Sequence, residues 1–274
     1  MSDPVTVIYI TSLGHSGSTL LDLLISAHSK IFSVGEVINV RNYAHMLKKK
    51  NAKSKYGNEC TCCAPTIWEC DFWTRVEMVI QEQSGMSLKD LDFRDYEAAN
   101  WGEQNAALFR AVAAVSGCNV IVDSSKAPKR LEHLLKADGL DVKPIHLIRP
   151  ARAFIYSKIR REENPYLMSL HFTRRTWQIR KILRSMPYHV CRYERLTSEP
   201  EAVIRGVMDY LDLPFEPEQM EWAGRERHNL GGNGMRRSTD STIREDVAFK
   251  SALSLPQKLM IDTLTAPTRL MLPK

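Results

Sequence analysis

The sequence predicts an α/β fold: a central parallel sheet of about five strands with helices on both faces, plus a mostly helical insertion at about residues 41–117. Three observations point there. β-branched, apolar runs recur at Val5–Thr11, Ile31–Val34, Asn119–Asp123, Lys143–Ile148 and Tyr188–Tyr193. Helical patterns lie among and after them, at Thr19–Ala27, Tyr96–Val115, Lys129–Ala137, Arg152–Arg161, Phe172–Ser185 and Pro200–Leu211. Polar clusters follow four of the runs, at Gly14–Thr19, Gly35–Glu36, Asp123–Lys126 and Arg149–Arg152. Open parallel sheets bind their ligands at those carboxyl ends.

The first run sets the layout. In VTVIYITSLGHSGSTLLDLL a strand breaks into a small-residue loop, Ser12–Ser18, and Thr19 opens a helix. Strand, tight loop, helix aims backbone N–H groups and a helix dipole at an anion. Gly14 and Gly17 let the backbone approach it closely, and Ser16, Ser18 and Thr19 add hydroxyls. The segment is P-loop-like but not a nucleoside-triphosphate loop. That motif needs G-x-x-x-x-G-K-[ST], whereas Ser12 stands at the first Gly position and Ser18 follows Gly17. The plainer reading is an ordinary turn of small residues.

The second run, IFSVGEV, ends at Glu36, which can serve as general base toward an acceptor hydroxyl or amine, or simply open a helix. The third, VIVDSSK, ends at Lys126, placed to hold a transferring anionic group, or solvated beside a Ser cap. The fourth leads to Arg149, with Ser157 about two turns further on. An Arg at a helix start opposes the dipole and calls for a compensating anion. The late stretch HNLGGNGMRR, His228–Arg237, is a loop able to close over a nucleotide, or a plain surface loop.

At 274 residues and 43% apolar, the chain suits one domain over residues 1–274 with the insertion inside it. The formal charge of +6 suits an anionic ligand without requiring one. The densest basic run, Lys48–Lys50, reads as a solvated helix end, so no nucleic-acid partner is expected. The chain enters its first strand without a basic leader, and no apolar run has the length of a membrane span. A cytoplasmic protein without a membrane partner is therefore expected. Of six cysteines, Cys60, Cys62, Cys63 and Cys70 cluster. C-x-C-C-x₆-C is not a standard zinc spacing, and free thiols, one disulfide or a metal all remain open. Trp68, Phe72 and Trp73 beside them read as anchors of the insertion.

GHSGSTLL, GE, VDSSK, LIRPARAFIYS, RYERLTSEPEAVIRGVMDYLDLPFEP and HNLGGNGMR, in that order, resemble the PAPS-dependent sulfotransferases, in the branch of tyrosine and microbial small-molecule enzymes. The resemblance runs over about residues 5–40 and 119–237. It implies sulfonate transfer from 3′-phosphoadenosine 5′-phosphosulfate (PAPS) to a hydroxyl or amine of a small-molecule acceptor, releasing PAP and requiring no metal. It implies that His15 to Thr19 hold the phosphosulfate, Arg149 and Ser157 the 3′-phosphate, and Tyr193 the adenine region. Asn233 and Arg236 would close on the cofactor. Glu36 would be the base, with Lys126 and His15 stabilising the leaving charge. Two departures stand out: His15 replaces the usual Lys or Arg, and Pro150-Ala151 replaces an acidic-Pro pair. Tyr166, His171, Phe172 and Trp177 are expected, with Glu36, to shape the acceptor pocket. A P-loop-like small-molecule kinase and a non-catalytic nucleotide-binding module are the alternatives.

Overall fold

The computed structural model describes residues 4–46 and 59–272; the run Lys48–Lys50 lies outside them. Five parallel strands form the sheet: β1 (Val5–Thr11), β2 (Ile31–Gly35), β3 (Val120–Lys126), β4 (Leu140–Ile148) and β5 (His189–Arg192). Their order is β2-β3-β1-β4-β5. The chain thus moves to one side of β1 for β2 and β3, and to the other for β4 and β5. Every expected strand is present. β3 runs past Asp123 to Lys126, and β4 starts earlier, at Leu140.

The helices are α1 (Ser18–Ile25), α2 (Val40–Ala44), α3 (Asp71–Ser84), α4 (Trp101–Ser116), α5 (Pro128–Leu134), α6 (Ala151–Ile159), α7 (Pro165–Leu183), α8 (Tyr193–Ser198), α9 (Pro200–Tyr210), α10 (Phe249–Ala252) and α11 (Leu255–Thr265). Alternation along β1 divides the core. Val5, Val7 and Tyr9 join a cluster containing Phe72, Trp73, Leu108 and Phe109 of α3 and α4. Ile8 and Ile10 join Leu20, Leu21 and Leu24 of α1 and Ile204 and Val207 of α9. A strand covered on both faces needs apolar residues on both, so β1 reads as one continuous apolar run.

Among its described residues the insertion contains no strand, as expected, and α3 packs on α4. Several helical segments differ from the sequence reading; α4, for one, begins at Trp101 rather than Tyr96. α7 begins at Pro165 rather than Phe172, because the Asn164 side chain caps it by accepting from the N–H groups of Tyr166 and Leu167. α11 was not anticipated. A Ser254–Gln257 capping box starts it, and buried Ile261 holds it against α6 and α7. No helix of the described residues is long and apolar enough to cross a membrane.

Candidate active site

The loop between β1 and α1 turns through two left-handed residues, His15 (φ 64°) and Gly17 (φ 90°). No side chain caps α1 at Gly17, so its first-turn N–H groups are left for an outside acceptor. Ser16 in the loop and Ser18 and Thr19 in the first turn of α1 are buried. Gly14 faces open space: a Cβ there would meet nothing within 4 Å. Gly17 is the opposite case, since a Cβ would lie 2.6 Å from Cδ2 of Tyr193. The Tyr193 ring thus covers the loop.

Glu36 and Lys126 meet. Lys126 Nζ donates to Glu36 Oε1 at 2.7 Å, joining the ends of β2 and β3. Lys126 holds a left-handed backbone (φ 65°), a strained state that a non-glycine residue keeps only where its surroundings fix it. The preceding turn supplies that fixity. Asp123 Oδ1 accepts from the Ser125 N–H at 2.8 Å, and Oδ2 accepts from Arg130 Nε at 2.7 Å. Both partners of that ion pair are fully buried, and the Arg130 guanidinium lies 4.6 Å from the Phe93 ring centroid.

The late loop runs alongside Glu36. Leu230 N–H donates to Val34 O at 3.0 Å and Glu36 N–H to Leu230 O at 2.7 Å, forming a parallel bridge at Gly35. Gly35 (φ 72°) is required here, because a Cβ would lie 2.7 Å from Leu230 O. Asn233 caps the turn that follows, accepting from the Met235 N–H. Arg236 is drawn inside: Nη2 donates to Asp22 Oδ2 at 2.7 Å and to Ser124 Oγ at 3.0 Å. Its Nε and Nη1 are buried with no partner among the described residues.

Arg149 forms the other wall. Its Nη1 donates to the carbonyl of His15 at 2.5 Å, and its guanidinium lies 4.5 Å from the Tyr193 ring centroid. The anion that the helix start calls for is supplied by the chain itself. Asp246 Oδ2 accepts from Arg149 Nη2 at 3.2 Å and from Arg160 Nη2 at 2.8 Å. Arg149 Nε is buried without a partner among the described residues. Ser157 is buried one element along, its hydroxyl donating to Phe154 O at 2.6 Å. Pro150 caps α6, which begins at Ala151, so the altered pair after Arg149 leaves the helix start intact.

The site is basic. Lys126, Lys158 and Arg161 add to burial in lowering the His15 pKa to about 4, with burial the largest cause. The resting imidazole is therefore neutral near pH 7, not the cation that stands at this position in the resembling enzymes. Arg175, which sequence reasoning passed over, reaches Lys126 O at 3.5 Å, and burial lowers its pKa.

The loop leaves α1 without a side-chain cap, Glu36 and Lys126 form an ion pair, and Arg149 and Arg236 carry buried N–H donors with no partner among the described residues. The chain matches the sequence profile of the sulfotransferase family over residues 7–217. It belongs to the sulfotransferase family. The fold agrees. The sulfotransferase domain from the curacin biosynthetic pathway superposes with a TM-score of 0.65 at 23% identity, covering 99% of this chain and all of that one. The sulfotransferase domain from the Synechococcus PCC 7002 olefin synthase gives 0.58 at 18%, covering 100% and 98%. Sulfotransferase STF9 from Mycobacterium avium gives 0.51 at 12%, covering 99% and 78%. No relative was found among curated protein sequences.

In this sulfotransferase the expected acceptor residues on α7 separate. Phe172 is 2% exposed and packs on Phe154 with ring centroids 5.5 Å apart, so it builds the core and offers no surface to an acceptor. The reason is periodicity: Ser169, Phe172, Thr176 and Ile179 form the buried stripe of α7. Tyr166 and Trp177 lie off that stripe and are about half exposed, at 50% and 51%. His171 is exposed and shares its electrostatic neighbours Lys158 and Glu163 with His15.

Proposed function

We propose that this sulfotransferase moves a sulfonate group from PAPS to a hydroxyl or amine of a small-molecule acceptor and releases PAP. The observation that carries the reading is the pair of buried guanidinium groups, Arg149 and Arg236. Each has unsatisfied donors, and they contact the loop and α1 respectively. Buried orphan donors on a charged group are costly unless a ligand uses them. Two such groups suit a nucleotide that carries phosphate at two positions.

Residues Gly14 to Thr19, Tyr193, Arg149, Ser157, Asn233 and Arg236 would hold that nucleotide, which supplies an activated sulfonate. Asp246 would give way to phosphate at Arg149 and Arg160. Glu36 would take the proton from the acceptor O–H or N–H as the new bond to sulfur forms. Lys126, released from its ion pair as that carboxylate is protonated, would steady charge on the departing phosphate oxygen. His15, neutral and at the lip of the loop, would donate a hydrogen bond to the same oxygen. No residue in this set calls for a metal in the transfer step. Glu36, His171 and Arg175 would border the acceptor.

A thermal-shift titration with PAP tests the donor class, with ATP plus Mg²⁺ in parallel. PAP at about 100 times its Kd contributes roughly 2.7 kcal/mol, which for a chain of this size is a Tm rise of several degrees. A rise with ATP alone would replace the donor assignment. Glu36→Gln tests the base: turnover should fall by at least about 100-fold while the PAP shift persists. Turnover retained in that variant would move the base elsewhere.

A further inference from the structure

Away from the transfer chemistry, four potential metal ligands converge where the insertion meets the late loop. The Sγ atoms of Cys60, Cys62 and Cys70 and a ring nitrogen of His228 all lie within 4.8 Å of one another. Cys62 Sγ is 3.6 Å from Cys70 Sγ, and Cys70 Sγ is 3.2 Å from His228 Nδ1. A tetrahedral zinc ion with bonds of about 2.3 Å to sulfur and about 2.0 Å to nitrogen separates its ligands by roughly 3.5–3.8 Å. The four atoms need only small shifts to reach that spacing.

The surroundings hold them there. Cys60 N–H donates to Ala64 O and Cys63 N–H to Cys60 O, each at 3.0 Å. With Cys63 left-handed (φ 74°), this tight knuckle leaves Cys63 exposed while Cys60 is buried. Cys70 sits at the start of α3. His228 is fixed on three sides. Phe72 stacks on its ring at 4.9 Å, Trp73 Nε1 donates to its carbonyl at 2.8 Å, and its Nε2 faces Glu226 Oε1 at 3.6 Å. One imidazole nitrogen toward a ligand cluster and the other toward a carboxylate is the usual setting of a metal-bound histidine. A disulfide would use two of the thiols and leave the third and the imidazole without a purpose.

We infer that Cys60, Cys62, Cys70 and His228 hold one structural zinc ion that ties the helical insertion to the root of the late loop. Three thiols and an imidazole select zinc over magnesium or calcium. On binding, the thiol protons pass to solvent and four protein bonds close the coordination sphere, leaving no open position for catalysis. The tie acts at a distance through the backbone: His228 is followed by Asn229 and Leu230, and Leu230 bridges to Gly35 beside Glu36. The spacing within the cysteine cluster does not reveal the site, because the fourth ligand comes 158 residues after Cys70.

The full chain, expressed with zinc in the medium and purified under reducing conditions, should carry about one zinc per chain by plasma mass spectrometry. Cys63→Ser should keep it, while Cys70→Ser and His228→Ala should lose affinity by at least about tenfold. Should those variants fail to fold, cobalt exchanged into the unmodified protein decides. Tetrahedral thiolate coordination gives intense d–d bands and a sulfur-to-cobalt charge-transfer band. Zinc-free protein lacking that spectrum, a disulfide among these cysteines after reducing purification, or full zinc in the His228 and Cys70 variants would each overturn the inference. Metal content is read without donor or acceptor, so its outcome is independent of the PAPS assignment.

Discussion

His15 shows how one side chain changes a chemical expectation. In the resembling enzymes a permanent cation stands at this position, and a protonated imidazole would make activity fall as pH rises past its pKa. Burial and three neighbouring cations instead bring that pKa to about 4. The kcat/KM profile reports the free enzyme, and it should show no falling limb attributable to His15 between about pH 6 and 8. A limb there that disappears in His15→Asn would restore the cationic role. Single residues were legible where the chain's own direction gives them meaning. Glu36, Lys126 and Arg149 stand at or just past strand ends, so their placement could be read from pattern alone, and the structure pairs Glu36 with Lys126. Asp22, Asp246 and His228 could not be read that way. Each acquires its role from a partner far away in sequence: Arg236, Arg149 and Cys70.

Among the elements, the segment from His228 to Arg237 depends most on a single backbone position. Gly35→Ala would bring a Cβ against the Leu230 carbonyl and force a left-handed φ on a non-glycine residue, a strain of about 1–3 kcal/mol before any clash is counted. The variant should melt several degrees lower and bind PAP more weakly, both measurable by calorimetry. Asp246 gives the reverse prediction. If its carboxylate occupies Arg149 and Arg160 until phosphate arrives, Asp246→Asn should tighten PAP severalfold by isothermal titration. Unchanged or weaker binding would show that Asp246 supports the phosphate site instead of competing for it. The strands were readable because alternation along β1 and the β-branched runs dictate them. α11 was not, because its helical signal lies in a capping box rather than in a strong apolar stripe, and α7 was begun late because Asn164 caps it from outside the pattern.

For the molecule as a whole, acid stability follows from the sheet. His146 lies on β4 opposite Thr11 of β1, and burial, with Arg192 adding to it, lowers its pKa to about 4. The unfolded imidazole takes a proton near pH 6.5 and the folded one only near 4, so the unfolded state binds more protons as pH falls. Stability should therefore drop between those values, by on the order of 3 kcal/mol from this residue. His146→Gln should flatten that part of a urea-midpoint profile against pH, and a profile equally steep in the variant would place the titrating group elsewhere. The bridge at Gly35 has one more consequence. β2 is the last strand on its side of the sheet, and a border strand left bare is a template for pairing with another chain. Leu230 takes up hydrogen bonds of that border, so the stretch proposed to close over the nucleotide also shields the protein from its own copies. Anything that frees the stretch would expose Glu36 and a self-association surface together, and if Glu36 is the proposed base, loss of activity and onset of aggregation should track each other.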